Sequence, residues 1–175
     1  MEIPLVLTIL GTDRPGLVES VANIVAHHGG NWLESRMCRL GGEFAGILRI
    51  QMEAAQEQQL QRDLAALQAQ GLTVSVASAR SKAEPTTGRP AILELVGQDR
   101  PGIVREVSRA LARKGINVEE LSTECSSAPM SGENLFKAQA KLRIPDSCPL
   151  PELRKELEHI AGNLLVDISI EELPH

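Results

Sequence analysis

Aromatic residues are nearly absent: two phenylalanines, one tryptophan and no tyrosine, 2% of the chain. Without them there is no platform on which single-stranded bases would stack. Cysteine is scarce as well. Cys38, Cys125 and Cys148 are odd in number and far apart, with no C-x-x-C, so neither a disulfide framework nor a zinc site is suggested. No apolar run approaches the roughly 20 residues that span a bilayer. The opening Met1-Glu2-Ile3-Pro4 has neither the basic start nor the apolar segment of a secretory signal. Lys and Arg never cluster, and the 175 residues carry a net charge of −5. That is the wrong sign for a nucleic-acid surface. Catalytic signatures are missing too: there is no G-x-S-x-G, no H-E-x-x-H, no Walker loop and no G-x-G-x-x-G after a strand. These absences lead us to expect a cytoplasmic protein that is not an enzyme, holds no metal or cofactor, and touches neither membrane nor nucleic acid directly.

What the chain does contain, it contains twice. Gly11-Thr12-Asp13-Arg14-Pro15-Gly16 recurs as Gly97-Gln98-Asp99-Arg100-Pro101-Gly102. The copy runs on: Leu17-Val18 returns as Ile103-Val104, Val21 as Val107, Gly29 as Gly115 and Asn31 as Asn117. Repetition at this spacing gives two homologous units. Units that small bury a limited core, so packing as a pair or as a homodimer is expected.

Each unit reads in the same order. Ile3 to Leu10 is short, apolar and β-branched, and ends at glycine, which is the pattern of a buried strand. Pro15 sits where a helix could begin. Leu17, Val21 and Val25 then stripe one helical face, and Gly29-Gly30 stops the helix. A strand from Asn31 to Leu40 meets Gly41-Gly42, a tight hairpin. On the return strand Phe44, Gly46, Leu48, Ile50 and Met52 share one face, opposite Ile47, Arg49 and Gln51. Leu60, Leu64 and Leu67 mark a second helix, and Thr73 to Val76 a last strand. In the second half, Ile92 to Val96, Ile103 to Leu111, Asn117 to Cys125, Leu135 to Ile144, Leu153 to Ile160 and Val166 to Ile170 repeat this order. The fold class is therefore α+β, two tandem ferredoxin-like βαββαβ units with antiparallel sheets and helices on one face. We expect domains at 1–78 and 91–175. The aperiodic 79–90 would be a linker, and 126–134 a polar, exposed hairpin loop.

The two glycine-bounded loops join a strand to a helix N-terminus, where free N–H groups and the helix dipole suit a carboxylate. Asp13 and Asp99 could cap the helix or accept an ammonium group. Arg14 and Arg100 could reach a carboxylate. Asn31 and Asn117 could be ordinary turn residues or ligand contacts, if the start of the second strand lies beside the loop. His27 and His28, being adjacent, point about 100° apart and cannot form the i, i+4 metal face; favourable interaction with a helix C-terminus is expected instead. Cys38 and Cys125 are expected to be buried structural thiols, and Trp32 to serve core or interface.

With this fold order and the repeated Asp-Arg-Pro-Gly, the chain resembles tandem ACT-domain proteins, ferredoxin-like modules that sense small molecules, usually amino acids. The correspondence runs from Ile3 to Ser78 and from Ala91 to Leu173. A pair with the motif in both halves looks most like the glycine cleavage system transcriptional repressor family. That resemblance implies a non-enzymatic, glycine-responsive repressor that contacts a transcription factor. An alternative is a regulatory subunit that gives a separate metabolic enzyme feedback control. The same motif opens the sensor regions of formyltetrahydrofolate deformylase and some phosphoserine phosphatases, and the chain is expected to end where their catalytic domains would begin. The resemblance makes Asp13, Arg14, Pro15, Gly16, Asn31, Asp99, Arg100, Pro101, Gly102 and Asn117 the candidate ligand-binding residues.

Overall fold

The computed structural model describes residues 1–78, 87–127 and 134–174, and these fall into two compact units. In the first, β1 (Glu2–Thr12) leads to α1 (Leu17–His27), β2 (Asn31–Leu40), β3 (Glu43–Glu53), α2 (Glu57–Ala66) and β4 (Leu72–Ser78). In the second, β5 (Arg89–Gln98), α3 (Ile103–Arg113), β6 (Asn117–Ser127), β7 (Asn134–Ile144), α4 (Leu150–Leu164) and β8 (Val166–Glu172) repeat the order. Each unit holds one four-stranded antiparallel sheet, ordered β2-β3-β1-β4 and β6-β7-β5-β8. This is the expected α+β, ferredoxin-like arrangement.

Alternation decides which face is covered. Leu5, Leu7 and Ile9 of β1 and Leu48, Ile50 and Met52 of β3 are buried against Leu17, Val21 and Val25 of α1 and Leu60 and Leu64 of α2. Leu93 and Leu95, with Ala140, Leu142 and Ile144, do the same against Ile103, Val107 and Leu111 and Leu153 and Leu157. The thirteen buried residues of the first core are large aliphatics, each worth about 1.5–3 kcal/mol when fully buried. The opposite faces stay open; Ile47 is exposed there.

Three expectations change. The strand β5 begins at Arg89, inside the segment read as linker: Arg89 pairs with Ile144 and Pro90 with Arg143. The rest of that segment, 79–86, lies outside the described residues, as does 128–133 of the hairpin loop. Ser126, Ser127 and Asn134, read as loop, are strand. Cys38 and Cys125 are exposed rather than buried; only Cys148 is buried. The cause is position: Cys38 stands opposite Ala45 on the open face that Ile47 shares, and Cys125 lies on β6, an edge strand exposed along almost its whole length. His28 is buried, with Nε2 2.7 Å from Asp63 Oδ2 of α2. Its role is to tie the two helices together.

Candidate functional site: the two strand-to-helix loops

Sheet register and two special backbone positions build each loop. Gly11, the last residue but one of β1, lies beside β4, where a Cβ would stand 2.5 Å from the Gly71 carbonyl oxygen. Only hydrogen fits there. Gly97 is the same: a Cβ would meet Val166 at 2.4 Å. The closing glycine is needed for a different reason. Gly16 has φ 90° and Gly102 φ 98°, the left-handed region that non-glycine residues avoid. Proline followed by such a glycine suits a type II turn. Pro15 and Pro101 therefore precede the helices rather than open them, and α1 and α3 start at Leu17 and Ile103.

The motif aspartates fasten the loop to the neighbouring hairpin through their backbones. The Asp13 N–H donates to the Gly42 carbonyl at 2.9 Å, and the Asp99 N–H to the Asn134 carbonyl at 2.8 Å. Neither aspartate caps its helix: no side chain accepts from the first turn of α1 or α3. That expectation is overturned because the left-handed glycine turns the chain between the aspartate and the helix. The first-turn N–H groups consequently lack a side-chain partner, and such groups lack an intrahelical one as well. No atom lies within 4 Å of a Cβ built on Gly16, and only the Arg105 guanidinium approaches one on Gly102, at 3.6 Å. Among the described residues the space beside both turn glycines is open.

The arginines serve the loop itself. Arg14 Nη2 donates to the Gln70 carbonyl at 2.9 Å, fixing the loop to the turn before β4. Arg100 Nη2 donates to Gln98 Oε1 at 3.2 Å. Both guanidinium groups are spoken for, at exposed positions where such contacts are weak.

Asn31 and Asn117 do not lie beside the loop of their own unit. Asn31 pairs with Gln51, whereas Thr12 pairs with Glu43. Eight positions along β3 separate them, about 26 Å at 3.3 Å per residue. Asn117, opposite Arg143, is equally far from Gln98, opposite Leu135. Their adjacency to the loop was the premise for ligand contact, and it fails: β2 and β6 start at the far end of the sheet. The structure thus groups Asp13, Arg14, Pro15 and Gly16, and likewise Asp99, Arg100, Pro101 and Gly102. It sets the two asparagines apart.

Residue reading alone missed the charge partners. Arg39 of β2 reaches across the hairpin, Nε to Asp13 Oδ2 at 2.5 Å. Arg39 stands opposite Phe44, and its counterpart opposite Phe136 is Cys125. Partial desolvation, and then the neighbouring Asp99 carboxylate, hold the Cys125 thiol above its ordinary range. Counting back from the hairpin in both repeats would have aligned these two residues. No group of three or more metal-ligating side chains occurs among the described residues, and no helix among them is long and apolar enough to cross a membrane. A narrow cavity of about 50 Å³ under α3, lined by Val104, Val107, Leu111, Val118, Leu121 and Phe136, offers no charge to a zwitterion.

Family models for the ACT domain match residues 4–77 and 91–136. The chain belongs to the ACT-domain family. It carries two such domains and is homologous to the glycine cleavage system transcriptional repressor of Escherichia coli, with 27% identity over 83% of this chain and 75% of that protein. The phosphoserine phosphatase SerB2 of Mycobacterium tuberculosis is 26% identical over 98% of this chain, which spans 41% of the phosphatase's length. Among solved structures, a protein of Galdieria sulphuraria superposes with a TM-score of 0.89, at 32% identity and 99% coverage of this chain and 100% of that one. A protein assigned to the glycine cleavage repressors shares the fold, with a TM-score of 0.72 at 22% identity over 100% of this chain and 99% of that one.

Proposed function

We propose that this ACT-domain chain is a non-enzymatic sensor of a small amino acid, glycine foremost, that acts in the cytoplasm by contacting a transcription factor. One observation carries the reading. Two equivalent helix N-termini follow a left-handed glycine, and among the described residues no side chain caps either and the space beside each glycine is open. Unpaired N–H groups and the positive helix end receive a carboxylate, and a motif aspartate stands beside them for an ammonium group. The length shared with the Escherichia coli repressor supports the same reading. The net charge of −5 supports signalling through protein rather than by direct contact with DNA. Two separate domains, one at 1–78 and one that opens with β5 at Arg89, and self-association as a homodimer belong to this proposal.

A second reading has its own support: the phosphatase relative carries a matching region within a longer chain. A regulatory subunit for a separate metabolic enzyme would be built alike. Thermal-shift measurements across the amino acids test the shared premise. A ligand at 100 times its Kd adds about 2.7 kcal/mol to the native state. A melting point unmoved by every amino acid would sink both readings. Tagged protein recovered with a transcription factor favours the first, and with a metabolic enzyme the second.

A further inference from the structure

The two loops share a backbone but not a charge. Asp13 is tied to the Arg39 guanidinium. At the equivalent position Asp99 meets a neutral thiol, and among the described residues it forms no ion pair. Its nearest arginine in sequence, Arg100, spends a guanidinium N–H on Gln98. The first loop therefore presents a carboxylate paired with a cation, the second a carboxylate with only a thiol beside it.

We propose that the residue opposite the hairpin phenylalanine, Arg39 in one unit and Cys125 in the other, decides which loop reads a ligand's ammonium group. The second unit takes the zwitterion, its carboxylate on the first-turn N–H groups and its ammonium on Asp99. In the first unit a ligand ammonium must displace Arg39 and then face it. This deepens the sensor reading, and rests on it: it names which of the two loops discriminates an amino acid from other small carboxylates.

The pair that must be displaced is exposed, and such pairs are worth up to about five-fold in an equilibrium. Repulsion between guanidinium and ammonium adds to that. The second loop should bind an amino acid about five-fold more tightly than the first.

The test is a glycine titration of the full chain, followed by the amide signals of Gly16 and Gly102 in nitrogen–proton correlation spectra. Each amide reports its own loop. We expect Gly102 to saturate about five-fold below Gly16. Cys125→Arg should raise the half-saturation of Gly102 about five-fold, while Cys125→Met, of comparable reach without charge, should not. Arg39→Cys should lower that of Gly16 toward the value of Gly102. Glycolate, with hydroxyl in place of ammonium, should lose the preference for the second loop. Equal saturation of the two amides by glycine, an unchanged Gly102 in Cys125→Arg, or glycolate matching glycine at Gly102 would overturn the assignment while leaving the sensor reading intact. If neither amide moves with glycine, the sensor reading at these loops fails instead.

Discussion

Leu165 is the residue to change first, because it occupies a glycine's place. It follows α4 with φ 55° and ψ 47°, the sole non-glycine residue of positive φ among those described. The equivalent residue after α2 is Gly71, φ 79°. An L-residue in the left-handed region costs roughly 1–2 kcal/mol. Replacing glycine by alanine recovers about 0.4–1 kcal/mol by stiffening the unfolded chain. No atom lies within 4 Å of a Cβ built on Gly71, so sterics add nothing. Gly71→Ala should then lose about 1 kcal/mol. The Leu165 side chain is 67% exposed. Truncating it forfeits about a third of a leucine's 1.5–3 kcal/mol, roughly 0.5–1 kcal/mol. Leu165→Ala pays that loss and keeps the backbone strain. Leu165→Gly pays it too, but relieves about 1 kcal/mol of strain, and should be close to neutral. The glycine variant should therefore exceed the alanine variant by about 1 kcal/mol, reversing the usual rank of the two residues next to a helix. Urea unfolding followed by circular dichroism reads this as a shift in midpoint at constant slope; in a melt it is about 4–8 °C for a domain of this size. A Leu165→Ala variant as stable as Leu165→Gly would refute the account of this cap.

The remaining predictions concern charge, boundary and thiols. The hydrogen bond from His28, the largest cause, holds the Asp63 carboxyl below its ordinary 3.8. Its contribution is thus present above that value and is lost as pH falls through the lower folded value; the urea midpoint of Asp63→Asn should decline less steeply below about pH 4 than that of the parent. In the second unit Lys114 spans Glu152 and Glu156 at 3.7 and 3.6 Å. A fragment of 87–175 should melt above one of 91–175. The shorter piece loses the Arg89 bridge to Glu172 at 2.5 Å, the Arg89 hydrogen bond to the Cys148 carbonyl, and the bond from the Leu173 N–H to the Pro90 carbonyl; equal melting would place the boundary at 91. In native protein a thiol reagent should modify Cys38 and Cys125 but not Cys148. Cys125 should be slower than Cys38, since its raised pKa leaves less thiolate; equal rates would remove Asp99 from contact with it.

Local pattern carried the fold because each element obeys a rule that acts within a few residues. The stripe Leu17, Val21, Val25 is buried as one face, and Gly41-Gly42 turns the hairpin with φ 61° and 87°. The site was harder to read, because its decisive relations are between strands. Whether Asn31 meets Asp13 depends on sheet register, and β3 places them at opposite ends. Whether Cys38 is buried depends on which face its pairing with Ala45 gives it, a property of register rather than of the strand's own residues. Even the motif divides on these lines. Gly11 and Gly97 are required by a neighbouring strand, and Gly16 and Gly102 by their own dihedral angles, so their recurrence is explained without any ligand. The motif glycines thus serve as scaffold, and valine at Gly16 would strain the backbone before it tested binding. What distinguishes one loop from the other lies outside the motif, on the edge strand, where the repeats have diverged to arginine in one and cysteine in the other. In a duplicated protein with a common backbone, residues that differ between the copies are where the two halves can acquire different ligands, and here that difference is a single cation over a single carboxylate.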